Sequence, residues 1–239
     1  MKKTVYYLII FLTLLSINNH SKQLKKKEIK FYPINHASFI INFNHLTIYV
    51  DPVQDSTVYS KYPSPNVILI THIHSDHFNK KVIESIKTKQ TKIIAPKVVI
   101  SKLGFGTILK NGEDIKLKNV SIEAIPMYNI TKKRLKFHKK GLGNGYVLTI
   151  NDKRIYISGD TEDIKEMRVL KNIDYAFVCM NLPYTMSVKQ AASAVLAFKP
   201  KVVYPYHYRG PSGYSDIEKF KKLVSKNKNI DVILLNWYK

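Results

Sequence analysis

From residue 29 to the end of the chain, short apolar runs alternate with amphipathic stretches. Runs rich in Ile, Val, Tyr and Phe and bounded by turn residues predict strands. They fall at 29–34, 39–43, 46–50, 67–71, 92–95, 120–126, 146–150, 154–158, 175–180, 201–206 and 232–236. Helical periodicity predicts helices over 79–89, 163–170, 187–198 and 216–225. Within the third of these, apolar positions 188, 191, 195 and 198 share a face, and Ser187 with Gln190 reads as a capped start. Two strand-rich halves, each closed by helices, predict an α/β fold of two mixed sheets packed face to face with helices outside. No internal repeat and no Pro/Gly-rich linker divides residues 29–239.

The first 28 residues follow a different pattern. Lys2 and Lys3 precede an almost unbroken apolar run over 5–15, followed by polar Ser16, Asn18, Asn19 and His20. That run has the length of a signal-peptide core and falls short of the roughly 18–20 residues of a membrane span. Residues 1–21 are therefore expected to be a signal peptide or N-terminal anchor, and 22–28 a basic linker. The expectation is an exported chain, whether periplasmic, secreted or membrane-anchored. Cys179, the one cysteine, excludes an intramolecular disulfide framework and a cysteine-rich zinc module. It lies in the apolar run 176–180 and is expected in the core.

Charge adds a bias without naming a partner. Thirty-nine Lys and Arg against 17 Asp and Glu give a net charge of +22. Such a chain attracts anions: lipid headgroups, wall polymers, nucleic acid or an acidic small molecule. The lysines are spread along the chain beside many Asn and Ile, a pattern that base composition of the coding DNA explains equally well.

Chemistry concentrates in Thr71-His72-Ile73-His74-Ser75-Asp76-His77, directly after the apolar run 67–70. Neutral imidazoles and a carboxylate are ligands for zinc and similar divalent ions. On a loop leaving a strand, His72 and His74 can converge on one ion while Asp76 and His77 face a second. Asp160 and His207 each end a predicted strand, where a metal site recruits ligands. Asp160 is equally a candidate cap for the helix that follows. Asp51, before Pro52, either orients a ligand imidazole by hydrogen bonding or makes an Asp-Pro turn. His36 either joins the ligand shell, meets substrate or is structural.

These motifs together resemble the metallo-β-lactamase fold hydrolases, over nearly all of residues 30–239. THIHSDH at 71–77, SGDT at 158–161 and PYHY at 205–208 match that family's successive metal motifs. His36-Ala37-Ser38, Tyr128-Asn129 and His138 before the glycines at 141–145 point to the branch that includes UlaG-like lactonases and related metal-dependent hydrolases. The resemblance implies an αββα four-layer sandwich over 29–239. It implies a first ion on His72 and His74, a second on Asp76, His77 and His207, and Asp160 bridging them. The sequence departs from the superfamily at 124–129, where many members carry the first ion's third histidine. His138 supplies it from the next loop, or it binds substrate, as Tyr128 and Asn129 can. One or two divalent ions are thus expected, zinc foremost, with manganese or iron also compatible with imidazole and carboxylate.

The expected activity is hydrolysis of an ester, lactone or phosphodiester bond by a metal-activated water, with Asp76 as the catalytic carboxylate that orients the water and accepts its proton. The expected substrate is a small or anionic molecule. A rival expectation is a phosphodiesterase acting on nucleic acid or phospholipid through the basic loop 132–140, with Lys132, Lys133, Arg134, Lys136, Lys139 and Lys140 over the mouth of the site. That loop reads otherwise as a solvated lysine-rich hairpin. A third expectation is a non-catalytic metal-binding protein of the same fold.

Overall fold

The structure is a computed structural model and describes residues 28–238. The segment expected to direct export, residues 1–21, and residues 22–27 of the basic linker lie outside the described residues. No described helix is long and apolar enough to cross a membrane.

The first sheet holds β1 (Lys30–Asn35), β2 (Ser38–Phe43), β3 (Leu46–Val50), β4 (Val67–Leu69), β5 (Lys92–Ala95) and β6 (Thr107–Ile108), in that spatial order. β1 to β3 form an antiparallel meander, and β3 to β6 run parallel. The second sheet takes β7 (Asp114–Leu117), β8 (Val120–Met127), β9 (Gly143–Ile150), β10 (Lys153–Ile157), β11 (Tyr175–Cys179), β12 (Val202–Tyr206) and β15 (Asp231–Val232). β7 to β10 are antiparallel, and β10, β11, β12 and β15 follow in parallel. A small hairpin, β13 (Arg209–Gly210) and β14 (Gly213–Tyr214), follows β12.

Side-chain alternation along the strands explains the layering. Phe39, Ile41, Ile48, Val50 and Leu69 point into the core shared with Leu148, Ile155 and Phe177 of the second sheet. The intervening Ile40, Tyr49 and Ile68 pack on the other face with α1 (Lys80–Ile86) and α2 (Lys97–Leu103). Behind the second sheet, α4 (Val188–Phe198) and α5 (Ile217–Val224) bury Ala191, Val195, Phe198 and Phe220. Helices therefore cover both outer faces, as the αββα expectation requires. α4 begins with the anticipated box: Gln190 N donates to Ser187 Oγ at 3.3 Å, and Ser187 N donates to Gln190 Oε1 at 3.0 Å.

Several boundaries differ from the sequence reading. The last strand is only Asp231–Val232, because β12 pairs with it over just two positions. The helix expected at 163–170 shrinks to α3 (Lys165–Arg168). α2 and β7 were not anticipated, since Lys97–Leu103 lacks a capping side chain at Pro96 and Asp114–Leu117 lies at a sheet edge. Of the glycines at 141–145, Gly141 lies in a turn, and Gly143 and Gly145 belong to the start of β9. A Cβ on Gly145 would stand 2.9 Å from the Ile157 carbonyl oxygen, so glycine there lets β9 and β10 approach.

The fold brings the ends of β3, β4, β8, β10 and β12 to one rim, and Asp51, the 71–77 loop, the 128–142 loop, Asp160 and His207 follow directly from these strands. Ligands in α/β sheets bind at such carboxyl ends.

Candidate metal centre

Asp51 organises the 71–77 loop. Its Oδ1 accepts the Thr71 backbone N–H at 2.7 Å, and its Oδ2 accepts the Thr71 hydroxyl at 2.8 Å and His77 Nδ1 at 2.7 Å. The His77 Nδ1 proton is thereby committed, which leaves Nε2 as the nitrogen that takes either a proton or a metal ion. Thr71 has one hydroxyl proton, already given to Asp51, so its oxygen accepts from His72 Nδ1 at 3.0 Å. His72 Nε2 is consequently bare, and stands 3.0 Å from His74 Nδ1. Both readings offered for Asp51 meet here: it turns the chain and it holds a histidine.

Across the rim, His77 Nε2 faces His207 Nε2 at 2.9 Å, and Asp76 Oδ2 lies 3.4 Å from His207 Nε2. Asp160 stands between two groups of nitrogens. Its Oδ1 is 3.6 Å from His77 and 3.5 Å from His207, while its Oδ2 is 3.4 Å from His138 Nε2. Asp160 caps no helix: Ile164 occupies the cap position of α3, without a side-chain bond. That alternative is corrected.

The donor atoms of His72, His74 and His138 lie within 4.8 Å of one another, and so do those of His72, His77 and Asp160. A third set, His36, Asp76 and His207, satisfies the same limit. Asp160 and His207 are buried, yet Asp160 Oδ1 and His138 Nε2 have no hydrogen-bond partner. Buried polar atoms are almost always paired. Orphaned, converging lone pairs of imidazole and carboxylate are the donor chemistry of a divalent-ion site, and the residues fit such an ion.

The electrostatics point the same way. Burial, then the neighbouring His77, pushes His72 well below its ordinary value, and burial lowers His74 too. Burial also opposes charge on His77, but Asp160 and Asp51 outweigh it and raise that group to about 9. Burial drives Asp160 upward, but His207 and His77 hold it well below the carboxylate range. Against burial, His207 and His36 do the same for Asp76. The carboxylates draw positive charge to the centre of the cluster, and a proton and a metal ion compete for the same lone pairs.

His138 reaches the cluster because its loop is pinned. Asn129 N donates to the His138 carbonyl at 2.9 Å, and Asn129 Nδ2 donates to the carbonyls of Arg134 and Tyr184 at 3.0 and 2.7 Å. Glu162, buried two residues after Asp160, accepts the N–H groups of Ile130 and Thr131 at 2.6 Å each and Arg134 Nη1 at 2.5 Å. The loop is thus no free hairpin, and Arg134 is not available to substrate. Lys140 pairs with Glu166 at 3.0 Å. Lys132, Lys133, Lys136 and Lys139 are exposed without an acidic partner among the described residues. Tyr128 is not brought to the donors: its hydroxyl donates to Glu166 at 2.9 Å.

His36 does join the cluster. Its Nε2 lies 3.4 Å from Asp76 Oδ2, and its Nδ1 lies 2.8 Å from the Tyr238 hydroxyl. His36, Asp51 and His207 all adopt left-handed backbone, with φ of 55°, 45° and 46°. Non-glycine residues rarely take that conformation and concentrate where a site demands it. Sequence reasoning missed Glu162 and Tyr238. The acid two places after Asp160 was a usable signal for Glu162, whereas nothing local marks a penultimate tyrosine.

Comparison with known proteins fits this geometry. Residues 28–207 match the family described as the beta-lactamase superfamily domain. The UPF0173 metal-dependent hydrolase of Thermococcus onnurineus is 33% identical over 180 residues, covering 70% of this chain and 78% of that protein. Its counterpart in Pyrococcus abyssi is 30% identical over 223 residues, covering 86% and 96%. A crystal structure from Parabacteroides distasonis, of a protein named for the same activity, superposes with a TM-score of 0.82 at 42% identity, over 89% of this chain and 94% of that one. The chain belongs to the beta-lactamase superfamily domain family and has the metallo-β-lactamase fold. It is an enzyme, a metal-dependent hydrolase, and the expectation of a non-catalytic binding protein is set aside.

Proposed function

We propose that the chain holds two divalent ions and hydrolyses an ester-type bond: a carboxylic ester, a lactone or a phosphodiester. The observation that carries this reading is the position of Asp160, with one oxygen toward His77 and His207 and the other toward His138. His72, His74 and His138 would hold the first ion, and Asp76, His77 and His207 the second, with Asp160 shared. The donor set contains no thiolate, and suits zinc foremost, manganese or iron equally in kind. Bound there, such ions would supply Lewis acidity that lowers the pKa of a water to about 7.

The chain's own residues do the rest. The Asp76 side chain is 44% exposed at the open edge of the cluster, where it would orient the attacking water and accept its proton. Asp51 keeps His77 in the tautomer that presents Nε2. Cys179 is buried, and its thiol is pushed up to about 12 by burial and Asp160, so it offers no nucleophile. A small anionic substrate suits the unpaired Lys132, Lys133, Lys136 and Lys139, which favours the phosphodiester among the three bonds.

Metal analysis of the purified chain beside His138→Ala tests the reading. Near two equivalents in the wild type falling to one in the variant is expected, and a chelator is expected to abolish turnover until zinc or manganese is returned. One equivalent in both proteins would remove His138 from the ligand set, and chelator-insensitive turnover would end the proposal.

A further inference from the structure

Nine large hydrophobic side chains are exposed among the described residues, and they are not scattered. Six of them, Ile130, Leu135, Leu142, Leu182, Tyr184 and Tyr214, occupy three segments beside the donor cluster: 130–142, 181–185 and 209–214. These segments touch. Asn129 reaches the Tyr184 carbonyl at 2.7 Å, the rings of Phe137 and Tyr184 meet edge to face at 5.0 Å, and a Cβ on Gly210 would collide with the Leu182 carbonyl oxygen. Isolated exposed apolar residues need no explanation, but a contiguous apolar rim does.

The same rim is basic. Lys132, Lys133, Lys136 and Lys139 alternate with the aliphatic residues of the first segment, and none of the three segments contains an Asp or Glu. A polyanion such as nucleic acid would use the lysines but gain nothing from four aliphatic side chains. A neutral apolar partner would use the aliphatics but leave the lysines to repel one another. Only a surface that is anionic outside and apolar just beneath satisfies both.

We propose that this rim docks on an anionic phospholipid bilayer, with the lysines in the headgroup layer and Ile130, Leu135 and Leu142 reaching the acyl boundary. Docking sets the donor cluster against the headgroups. The inference does not rest on hydrolysis, because the surface is formed by side chains outside the donor set. Each lysine near an anionic surface contributes about fivefold to partitioning, and the contribution falls with ionic strength.

The full chain carries one tryptophan, the buried Trp237, so a new indole reports its own surroundings. Leu135→Trp and Leu142→Trp are mixed separately with vesicles of equal parts phosphatidylglycerol and phosphatidylcholine carrying brominated acyl chains. Quenching of the new indole is expected on these vesicles and not on phosphatidylcholine alone. Adding Lys132→Glu and Lys133→Glu is expected to weaken quenching by about tenfold or more. Lys118→Trp, in the β7–β8 turn at the opposite end of the sheet, is expected to stay unquenched. This readout is local, so binding through residues 1–27 cannot imitate it. Unquenched indoles at 135 and 142 on vesicles that sediment with the chain would overturn the proposal. Equal quenching on neutral vesicles would overturn it too, as would an emission change produced by an oligonucleotide or by self-association in place of lipid.

Discussion

At the scale of single residues, Asp51 shows how a side chain that need not touch the ion governs the site. It spends both oxygens on Thr71 and His77 and so decides which nitrogen of His77 faces inward. In Asp51→Asn one acceptor oxygen becomes an NH2 donor, so the side chain cannot accept the Thr71 N–H as well as the Thr71 hydroxyl and His77 Nδ1. Metal affinity is expected to fall by about 10–100-fold with the fold retained, as for other partners of ligand histidines. Competition against a chromophoric chelator measures this, and an unchanged affinity would leave Asp51 as a turn residue only. Tyr238 stands in the same relation to His36, since its hydroxyl accepts the Arg209 N–H at 3.1 Å and directs its proton toward His36 Nδ1. His72, His74, Asp76 and His77 were legible because they lie within six residues of one another on one loop. Tyr238 was not, being 202 positions from its partner.

At the scale of elements, the 128–142 loop stands or falls with Glu162. Burial pushes that carboxyl up, but the N–H groups of Thr131 and Ile130, the Thr131 hydroxyl and Arg134 together hold it below its ordinary value. A carboxylate with a depressed folded pKa adds stability that is complete above the unfolded value of about 4.3 and is lost as pH falls through the folded value. Glu162→Gln is expected to cost about 2–3 kcal/mol at neutral pH, since it leaves charge-assisted donors in the loop short of a partner. The gap between variant and wild type should narrow as pH falls below the unfolded value and on through the lower folded value. Denaturant unfolding at several pH values checks both, and a gap independent of pH would mean that packing rather than charge holds the loop. The strand that opens this loop, β8, was readable from its alternation, with Val120, Ile122 and Ala124 buried. The path of the loop was not, because its anchor, Glu162, follows β10, about thirty positions further along the chain.

At the scale of the whole molecule, the two sheets meet over an aromatic cluster in which Phe177 stacks on Phe39 at 4.4 Å and on Tyr204 at 4.9 Å, with Trp237 edge-on at 6.2 Å. Phe177→Ala is expected to cost about 3–5 kcal/mol, the range for a fully buried aromatic. Thermal or denaturant unfolding tests it, and a loss under about 1 kcal/mol would show that the sheets close the gap. A metal held by the proposed ligands would link the sheets as well, since His72, His74 and His77 follow the first sheet while His138, Asp160 and His207 follow the second. Any ion bound to the folded state alone stabilises it, by about 2.7 kcal/mol at a hundred times its Kd. Stripping the metal is therefore expected to lower Tm by several degrees, read by calorimetry with and without chelator; an unchanged Tm would argue against an ion spanning the two sheets.

The amino-acid pattern by itself determined the strand-rich halves closed by helices, because period-2 and period-3.6 burial are local properties that each segment carries alone, and the resemblance of its motifs implied the αββα class. It likewise determined the tight ligand motif at 71–77 and the isolated Asp160 and His207 at strand ends. Tertiary structure alone decided that His138 stands beside His72 and His74, that Arg134 is consumed by Glu162, and that Tyr238 returns to His36. Each of those outcomes joins residues dozens to hundreds of positions apart. Their proximity depends on how two sheets are registered against each other, and no local periodicity encodes that register.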